Sequence, residues 1–228
     1  MATWILHLRI ADRLLSALPG LHAAAFVMGN IAPDSGRAVD FGRYDPPKSV
    51  THYARKTDGE THYDTELFLS EHLRPEQARA YAPRSLAFFL GYYAHLLTDN
   101  AWLRLIHDSG EAPRARASRP EWEAYIRAAK RDWYDTDFLY LQSHPGFRAF
   151  GIFEGAAGFE NDLMDAFGPD AFEVKRQEIL AFYREPHEGL RREYPYFAPA
   201  QADAFVEEAY CQILPRMKEY SFAGRQSP

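Results

Sequence analysis

The chain has 228 residues, of which 46% are hydrophobic, 15% aromatic and 25% charged, a balance that excludes a disordered, collagen-like or coiled-coil chain and suffices for one large core. A formal net charge of −6 gives no global electrostatic reason to hold nucleic acid, so no stable nucleic-acid partner is expected. The single Cys211 cannot form an internal disulfide; the core, a bound metal or both must hold the fold, and a reducing compartment is its simplest context.

Apolar residues recur at spacings of three and four, which predicts an all-α, multi-helix single domain over residues 1–228. A first helix is predicted from Thr3 to Leu18, capped by Thr3 and stopped by Pro19-Gly20. No basic region precedes its short apolar stretch, so no signal peptide is read. A second helix from Leu21 to Asn30 meets the breaker cluster Ala32-Pro33-Asp34-Ser35-Gly36. Between Gly36 and Thr61, with Pro46-Pro47 and Asp58-Gly59, an extended loop is expected. Helix resumes near Tyr63 and covers Leu67, Phe68 and Leu73. Arg84 to His107 is apolar on nearly all sides, the pattern of a buried central helix. Its longest apolar run, Leu86 to Leu97, falls well short of the roughly 20 residues that span a bilayer, and a cytoplasmic protein without a transmembrane segment is expected. Ser118-Arg119-Pro120-Glu121 reads as a capping box opening a helix to Gln142, and further helices are predicted over 146–167, 170–185 and 199–220.

Nine histidines remain, several inside apolar segments where an imidazole needs a partner. His95 and Asp99 stand four apart in the central helix and so share a face. Such a pair is either a buried hydrogen-bonded couple or two ligands of one metal ion. Alone, His7 between Leu6 and Leu8 reads as a core histidine, Asp34 after Pro33 as a turn aspartate, and His52 in Thr51-His52-Tyr53 as an exposed ring. Taken with the central pair they make three His and two Asp, an N/O donor set that zinc accepts. Thr61-His62-Tyr63 repeats the Thr51-His52-Tyr53 pattern; His52, nearer Asp34, is preferred over His62. His22, His72, His144 and His187 read as surface residues.

The order of His7 in an N-terminal apolar helix, Gly29-x-x-x-Pro33-Asp34, Thr51-His52-Tyr53 and Gly91-Tyr92-x-x-His95-Leu96-x-x-Asp99-x-x-Trp102 resembles the zinc-dependent phospholipase C family, whose superfamily includes the single-strand-specific zinc nucleases. The resemblance covers roughly the first 105 residues. It implies an all-α phosphate-ester hydrolase in which Asp34, His52, His95 and Asp99 form one zinc site and His7 joins a second ion bridged by Asp99. The secreted phospholipases it resembles use the amine of a processed N-terminal Trp as a ligand. Trp4 lies inside this chain, so another ligand is expected. The family's third ion takes a His soon after the bridging Asp and a later His-x-x-x-Glu pair; after Asp99 only His107 to Glu111 has that spacing, and one to two zinc ions are expected. Asp135 and Asp137 are candidates for the missing ligand, with Asp137 preferred.

Such a centre activates water and polarises a phosphoryl oxygen. Asp34 would both bind metal and orient the water, which makes it the expected catalytic residue of a phospholipase C-like phosphodiesterase acting on a small phosphate ester or phospholipid. Arg37, Arg43 and Arg55 lie nearest the ligand loops as candidate phosphate forks. Two alternatives stay open: an HD-type metal-dependent phosphohydrolase centred on His107-Asp108, and a non-catalytic metal-binding helical module.

Overall fold

The computed structural model describes residues 1–40, 43–57, 59–109 and 118–223. It is 67% helix and 7% strand, so the all-α expectation holds, and no helix among the described residues is long and apolar enough to cross a membrane. Helix α1 (Trp4–Ala17) starts where Thr3 Oγ1 accepts the Leu6 N–H, the capping that the sequence predicts. Helix α2 (Ala23–Ile31) is capped by the His22 ring and runs into a 3-10 turn, Ala32–Ser35, which carries Asp34.

The segment from Gly36 to Thr61 departs from the expected loop. It forms two antiparallel hairpins, β1 (Arg37–Asp40) with β2 (Arg43–Asp45) and β3 (Ala54–Thr57) with β4 (Glu60–Tyr63), on either side of a single turn of helix, α3 (Lys48–Thr51). These strands are at most four residues long and mostly exposed, so no buried face imposes the alternation by which a strand is recognised. The second hairpin is fixed to the helical body at Tyr63, whose N–H and C=O both bond the Asn100 side chain, at 2.9 and 2.8 Å.

Helices α4 (Thr65–His72) and α5 (Pro75–Ala80) lead to the central helix α6 (Pro83–Asp108), buried along most of its length as its apolar composition predicts. It crosses α2 backbone to backbone. A Cβ at Gly29 would sit 2.0 Å from the Phe88 carbonyl oxygen, and one at Gly91 would sit 2.1 Å from that of Phe26; only glycine at both positions permits this approach.

The far wall is built by α7 (Arg119–Ser143), α8 (Arg148–Gly155), α9 (Ala171–Arg184) and α10 (Pro199–Ala223). Trp102 of α6 meets Trp133, Phe197 and Phe205 edge-on, closing the core between α6, α7 and α10. The helix expected over 146–167 stops at Gly155. Gly158 adopts φ 73°, and the Asn161 amide bonds the carbonyls of Met164 and Phe167, so a side chain takes over the hydrogen bonding that a helix would supply.

Candidate metal centre

Four elements converge on one buried point. Helix α1 brings His7, the 3-10 turn brings Asp34, the residue ending α3 brings His52, and α6 brings His95 and Asp99. His7, His95 and Asp99 are fully buried, and Asp34 and His52 nearly so. Tyr53, in the left-handed region at φ 55°, turns the chain sharply after His52, and the Tyr92 hydroxyl holds the Thr51 carbonyl from α6.

Their reactive atoms face one another. His52 Nε2 lies 3.2 Å from Asp34 Oδ1 and 3.7 Å from Asp99 Oδ2, His95 Nε2 lies 3.4 Å from Asp99 Oδ2, and His7 Nε2 lies 3.4 Å from Asp99 Oδ1. The His7 and His95 rings stack at 3.9 Å and are almost parallel. His95 Nδ1 is 2.8 Å from the Asn30 carbonyl oxygen, which only accepts, so Nδ1 carries the hydrogen and Nε2 of the neutral ring turns a lone pair inward. Thr51 Oγ1 engages His52 Nδ1 at 2.8 Å and leaves its Nε2 facing the same point, 3.4 Å from that of His95.

This donor set fits a metal on an observation independent of ligand type. Both ring nitrogens of His7 and Oδ2 of Asp99 are buried without a hydrogen-bond partner, a costly arrangement in a protein interior unless something else engages them. Two triads, His7-His95-Asp99 and Asp34-His52-His95, each bring their donor atoms within 4.8 Å of one another, and they share His95. The electrostatics agree. Burial lowers the His7 pKa to about 4 and that of His52 below its usual value, so both rings are neutral donors. Burial pushes the Asp34 and Asp99 carboxyls up, but the histidines facing them outweigh it and hold both below the usual carboxylate range. Burial opposes charge on His95 as well, and there Asp99 wins and raises its pKa. Two buried carboxylates thus draw positive charge to this point, and a cation supplies what a proton on His95 otherwise would.

Asp137 stands apart from both triads. Its carboxylate accepts from Thr3 Oγ1 at 2.7 Å and from the Tyr183 hydroxyl at 2.5 Å, which ties α7 and α9 to the N-cap of α1. Burial raises its pKa to about 7. Asp135 is held by His187 and Arg192. His62 is exposed on β4, so of the two repeated motifs only His52 enters the cluster. His107 is half-exposed at the end of α6 and faces Glu60 and Asp108; it joins neither triad, which disfavours the HD reading, and Glu111 lies outside the described residues. His72 is half-buried rather than on the surface, stacking on Phe89 and bonding the Tyr53 hydroxyl, whereas His187 is exposed as expected, with its ring stacked on Phe138.

A cavity of about 960 Å³ opens beside Asp34 and His52 and is lined by Trp4, Trp102, Trp133 and Tyr134 together with Arg37, Lys48, Lys130 and Lys175. Arg43 and Arg55 are not among its lining residues. Sequence reading missed Trp4 as a site residue: its indole Nε1 donates to Asp34 Oδ2 at 3.0 Å, and the available signal was its position three residues before His7, on the same helical face. The family model described as zinc-dependent phospholipase C matches residues 6–143, the stretch that contains all five clustered ligand candidates. No curated protein and no solved structure matches the chain.

Proposed function

Because the chain belongs to the zinc-dependent phospholipase C family, a family of phosphoric ester hydrolases, we propose that it cleaves the phosphodiester of a phospholipid, or a smaller phosphate ester, beside Asp34 and His52. The observation that carries this reading is the set of buried, unpartnered nitrogens of His7 and Oδ2 of Asp99, in one cluster with Asp34 and His52, which line a cavity of substrate size. Asp34, His52, His95 and Asp99 would hold one zinc ion, and His7 would join Asp99 in holding a second. Bound zinc supplies Lewis-acid activation of water and of a phosphoryl oxygen.

The remaining work belongs to the chain. Asn30 fixes the His95 ring and Thr51 the His52 ring, so neither must reorient to donate. Asp34 has one oxygen towards His52 and the other against the Trp4 indole; held at the cavity wall, it orients the attacking water. Arg37 and Lys48 on the same wall offset phosphate charge. Residues 1–228 act as one domain in this reading, in the cytoplasm, where an exposed unpaired Cys211 is unremarkable.

The test is hydrolysis of phosphatidylcholine and of a water-soluble phosphodiester by zinc-loaded protein and by Asp34→Asn. The wild type is expected to release product and to lose activity with a chelator, and the variant is expected to fall by roughly 10²–10⁴ in kcat. No hydrolysis by zinc-loaded wild type, or an unchanged rate in the variant, contradicts the proposal.

A further inference from the structure

We propose that Tyr53 is a positioning residue of the metal centre: its hydroxyl, clamped by two side chains of α4, holds the turn that aims His52 at Asp34 and Asp99. The inference rests on the reading of the cluster as a zinc site. The backbone supplies the first observation. Tyr53 has φ 55° and is the only non-glycine residue with positive φ among the described residues. A bulky side chain is strained in this region, where glycine is free. Such strain persists only where the surroundings over-determine the conformation, and it gathers at functional sites. A glycine would make the same turn without strain, so what holds residue 53 there lies in its side chain.

The surroundings supply the second observation. The Tyr53 ring is buried and meets Phe68 of α4 edge-on, with centroids 5.5 Å apart. Its hydroxyl lies 2.9 Å from Glu71 Oε2 and 2.9 Å from His72 Nε2. A carboxylate only accepts, so the hydroxyl proton goes to Glu71 and the hydroxyl oxygen accepts the Nε2–H of His72. His72 is fixed in turn by stacking on Phe89 of α6 at 5.0 Å. The Tyr53 carbonyl accepts the N–H of Asp64, the N-cap residue of α4, at 3.0 Å. Residue 53 is therefore tied to α4 both at its backbone and at the far end of its side chain. Tyr53, Glu71 and His72 take no part in lining the cavity, so their effect on the site passes through His52. Thr51 and Tyr92 hold that histidine from the α3 side, and the turn at Tyr53 holds it from the β3 side. Without the clamp, residue 53 relaxes towards negative φ and displaces His52 relative to β3.

Zinc affinity, measured by competition with a chromophoric chelator, tests this in Tyr53→Phe, which keeps the buried ring and removes the hydroxyl. Affinity is expected to fall by roughly tenfold to a hundredfold, the usual effect of removing a group that orients a metal ligand. Glu71→Gln retains an oxygen for the hydroxyl and is expected to bind zinc as wild type does, whereas Glu71→Ala is expected to bind it more weakly. A double-mutant cycle with His52→Ala separates positioning from stabilisation of the fold: a residue that acts through His52 costs nothing further in the His52→Ala background, and a structural residue costs the same in both backgrounds. Wild-type affinity in Tyr53→Phe, or losses that add in the cycle, overturns the proposal and leaves the zinc site standing. Should Tyr53→Phe fail to fold, the two variants at the exposed Glu71 decide in its place, and equal affinity in both overturns the proposal. Absence of zinc binding in wild type overturns the proposal and the zinc reading together.

Discussion

His95 and Asp99 were legible in the sequence because a spacing of four inside an apolar helix leaves two polar groups on one buried face, with each other or a ligand as partner. His7, Asp34 and His52 gained meaning only in company. Trp4 carries only a weak signal, its place on the His7 face, because an aromatic at a helix start reads as packing, whereas its indole N–H is the group that holds Asp34 Oδ2. Trp4→Phe keeps an aromatic ring against Tyr134, Phe182 and Tyr183, which it meets tilted or edge-on, and removes that donor. A hydrogen bond to a charged group contributes about 1.5–3 kcal/mol, so kcat is expected to fall roughly tenfold to a hundredfold with zinc content unchanged, as steady-state kinetics and metal analysis will read. Asp137 invites a different measurement. Its folded pKa near 7 exceeds the unfolded value of about 4, so the fold favours its protonated form. Its contribution is complete below the unfolded pKa and is lost as pH rises through the folded one. Asp137→Asn imitates the protonated state towards Thr3 and Tyr183. Between pH 4 and 7 its stability relative to wild type is expected to rise by up to about 1.4 kcal/mol per pH unit, read as the difference between the two melting profiles. A constant difference across that range contradicts the assignment.

At the scale of elements, the long helices were legible because each has an apolar surface to bury and a recognisable stop: Pro19-Gly20 after α1, Ser118 before α7 and Pro169 before α9. The hairpins were not, since their strands bury almost nothing and their pairing is between backbones. The overlong helix expected over 146–167 failed at Gly155 to Gly158, where a left-handed glycine and the Asn161 side chain compete successfully with helical bonding. Gly29 and Gly91 occur in the motif that suggested the family, and the structure supplies their physical reason: they let α2 and α6 touch, which sets Asn30 against the His95 ring. Gly29→Ala forces a Cβ to 2.0 Å from a backbone oxygen, a clash that only a shift of one helix relieves. A loss of about 3 kcal/mol is expected, visible as a melting temperature lower by roughly 6–12 °C, and zinc affinity is expected to fall with it because the ring's orienting carbonyl moves. An unchanged melting temperature contradicts the close-packed crossing.

For the whole molecule, the centre is a tie between distant parts of the chain. Residues 7, 34, 52, 95 and 99 come from four elements, and the core beneath them contains several charged and polar groups that only mutual pairing or a cation makes tolerable. With one unpaired cysteine and no disulfide available, a metal bound at this cluster would join α1, the 3-10 turn, α3 and α6. Zinc at about a hundred times its dissociation constant is expected to stabilise the fold by about 2.7 kcal/mol, a rise of roughly 5–10 °C in melting temperature that a chelator reverses. Whether this cluster is a metal centre is decided by the zinc content of purified protein, measured by elemental mass spectrometry after dialysis, in wild type and His95→Ala. His95 belongs to both triads, so at least one zinc ion per chain is expected in wild type and its loss in the variant; wild type without zinc, or a variant that keeps its full complement, contradicts a metal centre here.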